Sequence, residues 1–66
     1  MRIDKKKVEL ILLKANKRRK DLPEMAQYSH TTISALLNGK TCRLEAVQKI
    51  ANALGVNPAD IIEEGW

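Results

Sequence analysis

The chain has 66 residues but only one cysteine, Cys42, and one histidine, His30. A domain this small buries only about 60% of its unfolded surface, so it needs a disulfide, a metal, a partner or efficient helix packing. One cysteine cannot form an internal disulfide, and a structural zinc site takes four ligands. The sequence therefore predicts a single domain, residues 1–66, that is held together by helix packing and uses no metal or other cofactor.

Positive charge is concentrated in the first two-thirds of the chain. Residues 1–43 contain eleven Lys and Arg against four Asp and Glu, whereas residues 44–66 contain one Lys against four acidic residues. A basic region suits a polyanion such as a nucleic acid, although a well-solvated surface has the same composition. No apolar run approaches the ~20 residues of a membrane span, and no signal peptide is evident. We therefore expect a cytoplasmic protein that does not bind a membrane.

Apolar periodicity and helix-stop residues predict five short helices and no strand. The predicted helices span about residues 4–15, 21–27, 30–37, 43–54 and 58–63. The fourth has the clearest helical period, through Leu44, Val47, Ile50, Ala51 and Leu54, and Ile50 lies at its centre. Leu10 and Leu13 fall outside the apolar face of the first helix.

Four polar residues are candidate N-caps of these helices, and one of them, Asn57, precedes Pro58 at the start of the fifth. Asp4 precedes the first helix and Ser29 precedes the third, and both side chains accept hydrogen bonds from free backbone amides. Proline is tolerated only in the first turn of a helix, so Pro23 makes Asp21 the candidate cap of the second. Asn16 is predicted to end the first helix, because asparagine tolerates the left-handed conformation.

The outward face of the third helix is small and polar, through Thr31, Ser34 and Ala35. A surface helix without a function more often carries Lys, Glu or Arg there, which are better helix formers. Small side chains let a helix approach a partner closely and offer hydrogen bonds to base edges. Basic residues bracket this helix, at 17–20 before it and at Lys40 and Arg43 after it. This arrangement is typical of phosphate contacts that position a reading helix in the major groove.

Two motifs carry a resemblance to a known family. Residues 28–34 (YSHTTIS), Leu36 and residues 38–40 (NGK) are similar to the V-S-x-x-T-I-S-x-x-x-N-G-K pattern of Cro/CI-type (Xre-like) domains. These domains occur in phage repressors and related prokaryotic regulators. Residues 50–56 (IANALGV) resemble the family's fourth helix, and residues 57–62 resemble its fifth. The resemblance implies an all-α, five-helix lambda-repressor-like fold with the helix-turn-helix at about residues 19–38.

The resemblance also implies how the domain meets double-stranded DNA. The implied base contacts are His30, Thr31, Ser34 and Ala35. The implied phosphate contacts are Arg19, Asn38, Lys40 and Arg43, with the minor groove as the alternative for Arg43. The basic run at 17–20 adds Arg18. Ser29 and Thr32 are interpreted as cap and packing residues, and Cys42 is expected to be unreactive.

Two departures from the family pattern concern the second helix and the turn after it. Pro23 stands where the family usually has a small residue, which predicts a late or distorted start of the second helix. Gln27 stands where the family usually has glycine in the turn.

These features predict sequence-specific DNA binding by a transcriptional regulator, with repression the expected mode. A DNA-binding antitoxin of a toxin–antitoxin pair and a protein-interaction module on the same fold remain alternatives. An enzyme with a small-molecule substrate is not expected. The sequence shows no acid pair in an evident cleft, no nucleophile–base pair and no glycine loop that cradles phosphate.

A weak homodimer on a palindromic operator is expected. One recognition helix reads only about 4–5 base pairs, too few to define a genomic site, and two copies on adjacent half-sites solve this. No separate dimerisation domain is expected, so the partner surface should lie on the domain itself. The predicted dimer interface comprises Val56, Pro58, Ile61, Ile62 and Trp66. The alternative patch comprises Leu10 and Leu13.

Overall fold

The computed structural model describes residues 1–63, which form four α-helices and two 3₁₀ turns. The helices are α1 (Lys5–Lys14), α2 (Leu22–Ala26), α3 (His30–Leu37) and α4 (Leu44–Leu54). The 3₁₀ turns are Arg19–Asp21, directly before α2, and Pro58–Asp60, after α4. Extended pairing in residues 1–63 is limited to one antiparallel bridge, between Ile3 and Ile62. The all-α class is confirmed. No helix in this range is long and apolar enough to cross a membrane.

The core is one cluster of apolar side chains drawn from every helix. Its members are Ile3, Val8, Leu12, Leu22, Ala26, Ile33, Leu36, Leu37, Val47, Ile50, Ala51 and Ile61. The predicted central position of Ile50 is confirmed, because its side chain is fully buried. Leu44 was predicted to share the apolar face of α4 but is 49% exposed, since it lies at the first position of the helix, beyond the edge of the core.

The predicted caps of α1 and α3 are confirmed, and Asp21 occupies the predicted N-cap position of α2 but does not cap it with its side chain. The Asp4 carboxylate accepts hydrogen bonds from the backbone N–H groups of Lys6 and Lys7, at 3.0 and 3.3 Å. Asp21 has helical backbone angles and makes no side-chain cap bond to α2. Its carboxylate instead accepts from the backbone N–H of Arg18, at 3.0 Å, within the 3₁₀ turn. The second helix starts at Leu22, so Pro23 lies in its first turn, where proline is tolerated.

All four helices end in the same left-handed stop. The residues with positive φ are Asn16 (57°), Gln27 (58°), Gly39 (100°) and Gly55 (72°). After each of them, the next backbone N–H bonds the carbonyl five residues earlier, at 2.8–3.1 Å. This six-to-one hydrogen bond satisfies a carbonyl that the helix end leaves free. The chain therefore leaves each of these helices with that carbonyl paired.

Within residues 1–63 the predicted fifth helix is a single 3₁₀ turn, so the five-helix count is not confirmed. The Asp60 carboxylate accepts from the backbone N–H of Asn57, at 3.2 Å, within this turn. The chain then leaves the turn to pair with residues 1–4. The carbonyl of Ile61 accepts from the N–H of Asp4 at 2.7 Å, and the N–H of Glu63 donates to the carbonyl of Arg2 at 3.0 Å. These backbone groups are therefore engaged outside any helix.

Candidate nucleic-acid interface

Three residues join α2 to α3, and one of them sets the direction of the turn. Gln27 takes the left-handed conformation, and the N–H of Tyr28 then donates to the carbonyl of Pro23 at 2.9 Å. Ile33 and Leu37 bury one face of α3 in the core, together with Leu36. Because its inner face is fixed in this way, α3 presents the opposite face outward.

The outward face of α3 carries the predicted base-contacting side chains. His30, Thr31 and Ser34 are exposed, and Ala35 is half-buried. Ser29 and Thr32 are engaged with each other instead. The Ser29 Oγ accepts from the backbone N–H of Thr32 at 3.2 Å and donates to the Thr32 Oγ1 at 2.9 Å.

The predicted phosphate contacts lie on the segments before α2 and after α3. Arg18, Asn38, Lys40 and Arg43 are exposed, and Arg19 is half-buried. Gly39, with φ at 100°, allows the chain to leave α3 between Asn38 and Lys40. The Lys40 N–H is held by the Ala35 carbonyl at 3.1 Å, so this basic loop is fixed to the end of α3.

Tyr28 and Lys49 were not predicted as site residues, yet the structure brings them to the same surface. The Lys49 Nζ lies 4.6 Å from the centroid of the Tyr28 ring. Both side chains, with Lys40 and Arg43, line one open depression. Helical periodicity assigns Lys49 only to the polar side of α4, so no sequence signal links it to Tyr28.

Cys42 lines the same depression and is half-buried. Burial raises the pKa of its thiol above the ordinary value, because an apolar environment disfavours the charged thiolate. The thiolate is the nucleophilic form of cysteine, so this side chain is poorly placed for covalent chemistry at neutral pH. Among residues 1–63, no three His, Cys, Asp or Glu side chains are grouped as a metal site.

A family model of the Cro/C1-type HTH DNA-binding domain matches residues 7–63. The chain belongs to this family. No curated protein and no solved structure matches it. As a Cro/C1-type domain, the protein is a DNA-binding domain of the kind that regulates transcription. The predicted helix-turn-helix, about residues 19–38, contains α2, the turn and α3.

The Cro/C1-type domain leaves part of the predicted dimer interface inaccessible. Ile61 is fully buried in the core, so its side chain cannot contact a second copy. Val56, Pro58 and Ile62 are half-buried, and Trp66 lies outside the described residues. Leu10 and Leu13 of the alternative patch are 57% and 74% exposed, as their place outside the apolar face of α1 predicted.

Proposed function

We propose that this Cro/C1-type domain is a sequence-specific repressor that binds a palindromic operator in double-stranded DNA. The observation that carries the proposal is the outward face of α3, which is small, polar and exposed. Its side chains include two hydroxyls, an imidazole and a methyl group. Hydroxyls donate to or accept from base edges, and a methyl group packs on the methyl of thymine. A helix with this face fits the major groove closely.

Cations before α2 and after α3, exposed except for the half-buried Arg19, support binding to the DNA backbone. Arg18 and Arg19 precede α2, and Lys40 and Arg43 follow α3. Contacts from such residues to phosphates carry no sequence information but fix the register and orientation of the reading helix. Occupancy of an operator is enough to repress transcription, whereas activation needs a further contact with the transcription machinery. Repression therefore requires the fewest additional features.

The exposed leucines of α1 favour a second candidate function. Leu10 and Leu13 are large apolar side chains exposed on the surface of α1. Exposed apolar side chains that lie together often mark a surface that contacts another protein. A DNA-binding antitoxin, which also binds a toxin, would use such a surface. In that case, Leu13→Ala would weaken binding of the protein partner and leave the affinity for DNA unchanged.

Selection of bound duplexes from a random DNA pool tests the proposal. The expected consensus is a palindrome with two half-sites whose centres are about one helical turn apart. The Leu13→Ala variant is the control, and it should select the same consensus because Leu13 lies outside the helix-turn-helix. A pool without an enriched sequence would contradict sequence-specific binding, and a consensus without two-fold symmetry would contradict the palindromic operator.

A further inference from the structure

An open depression next to α3 gathers side chains from three parts of the chain. Tyr28 comes from the residues before α3, Lys40 and Arg43 from the loop after it, and Lys49 from the middle of α4. Of these residues, only the loop cations were predicted as phosphate contacts. The depression therefore extends the basic surface from the end of α3 onto α4.

The charge of this depression suits an anion. Lys40, Arg43 and Lys49 contribute three positive charges to its lining, and Glu45 contributes one negative charge. A phosphodiester group carries one negative charge and two free oxygens, which accept hydrogen bonds from ammonium and guanidinium groups. The net positive charge of the lining therefore favours an anion such as a backbone phosphate.

The ring of Tyr28 holds the ammonium group of Lys49 in place. At 4.6 Å from the ring centroid, the Lys49 Nζ lies within the range of a cation–π contact. A free lysine side chain loses much rotamer freedom when it binds a ligand. Lys49 has lost part of that freedom already, so less is lost when it meets a phosphate. Tyr28 is itself fixed, because its backbone N–H donates a hydrogen bond to the Pro23 carbonyl and its side chain packs on the core.

We propose that this depression binds a phosphate of the DNA backbone, and that Lys49, positioned by Tyr28, is a phosphate contact on α4. The inference rests on the proposed function, because it assigns a further DNA contact to the same interface. A phosphate held here lies beside the loop that follows α3, so it fixes how far α3 can shift along the groove. Lys49 thus contributes to the orientation of α3 in the groove and to the affinity for DNA, whereas the side chains of α3 determine the base preference.

The salt dependence of duplex affinity tests the inference directly. Each phosphate contact contributes about −0.9 to the slope of log K against log salt concentration. Lys49→Ala should therefore flatten the slope by about 0.9 and weaken binding about eightfold at 0.1 M salt, for operator and random duplexes alike. Lys49→Arg should keep the slope, since the positive charge remains. Tyr28→Phe should also bind like the wild type, whereas Tyr28→Leu should bind more weakly because the aromatic ring is lost.

Lys14→Ala is the matched control, because Lys14 is an exposed lysine at the end of α1 and does not line this depression. Thermal melts of all variants check folding. If Arg19→Ala and Lys40→Ala flatten the slope but Lys49→Ala behaves like Lys14→Ala, the inference is overturned and the proposed function stands. If none of these variants changes the slope, the proposed function fails as well.

Discussion

At the scale of single residues, Gln27 is the most strained position that the structure shows in the helix-turn-helix. Its φ of 58° lies in the left-handed region, which costs a residue with a side chain roughly 1–2 kcal/mol. Glycine at Gly39 and Gly55 meets the same requirement without that cost. The turn therefore keeps its geometry at the expense of stability, because the hydrogen bond from Tyr28 to Pro23 depends on it.

Gln27→Gly should stabilise the protein by about 0.5–1 kcal/mol. The relief of strain exceeds the entropy that glycine adds to the unfolded chain. Gln48→Gly is the matched control, since Gln48 is exposed within α4, and there glycine should destabilise by about 1 kcal/mol. Denaturant unfolding of the three proteins measures both changes. A destabilised Gln27→Gly variant would show that the side chain of Gln27 makes a contact that outweighs its strain.

Thr31 is the residue at which base reading is easiest to test. It is exposed at the second position of α3, on the face that is proposed to read bases. Thr31→Ala should change the preferred base at one or two positions of the selected site, at about 1–3 kcal/mol each. Thr41→Ala, an exposed threonine outside α3, should leave the preference unchanged. A uniform loss of affinity across all sequences would mean that Thr31 contacts only the DNA backbone.

At the scale of helices, local chemistry predicted the caps and stops where one residue decides them. Asp4, Ser29 and the left-handed Asn16 each act within a few residues of their own position, so sequence alone identified them. The cap bond expected of Asp21 and the helix expected after Pro58 failed for two different reasons. The Asp21 carboxylate bonds the N–H of Arg18 and closes the 3₁₀ turn before α2, a local alternative that the sequence does not distinguish from a cap. The segment after Pro58 pairs with residues 1–4, and a helix pattern does not contain contacts between residues so far apart in the chain.

Ile50→Ala tests how much the apolar face of α4 contributes to the stability of the fold. Ile50 is fully buried, so its truncation removes apolar contacts and leaves a cavity, at a cost of about 2–5 kcal/mol. A small domain has a total stability near the low end of about 5–15 kcal/mol, so this variant should be largely unfolded at 37 °C. Leu44→Ala is the control in the same helix, and its 49% exposure predicts a much smaller loss. Equal melting curves for Ile50→Ala and wild type would contradict the placement of Ile50 in the core.

At the scale of the whole molecule, residues 1–4 tie the ends of the domain together. The carbonyl of Met1 accepts from the N–H of Cys42 at 2.7 Å, while Ile3 enters the core and pairs with Ile62. The match to the family begins only at residue 7. Neither periodicity nor the family motif predicted this closure, because it depends on a contact between residues 59 positions apart. The outward face of α3 needed no such contact, and its exposed residues follow from helical spacing.

Two chains should occupy a palindromic duplex, and sedimentation with and without that duplex measures the stoichiometry. Val56→Lys should lower the affinity for the palindrome while a single half-site duplex is bound as before, which also shows that the variant folds. Leu13→Lys tests the alternative patch on α1 in the same way. It should leave the affinities for the palindrome and for the half-site duplex unchanged. A loss with Leu13→Lys alone would move the dimer contact to α1. One chain per palindrome at saturating protein would rule out the dimer.

The most direct test of DNA binding through exposed cations around α3 is the affinity for a duplex as a function of salt concentration. Log K should fall linearly and steeply with log salt, at about −0.9 for each phosphate contact. Arg19→Ala and Lys40→Ala should each flatten the line by about one contact and weaken all sequences alike. An affinity that does not change with salt would contradict DNA binding through contacts between these cations and the phosphates.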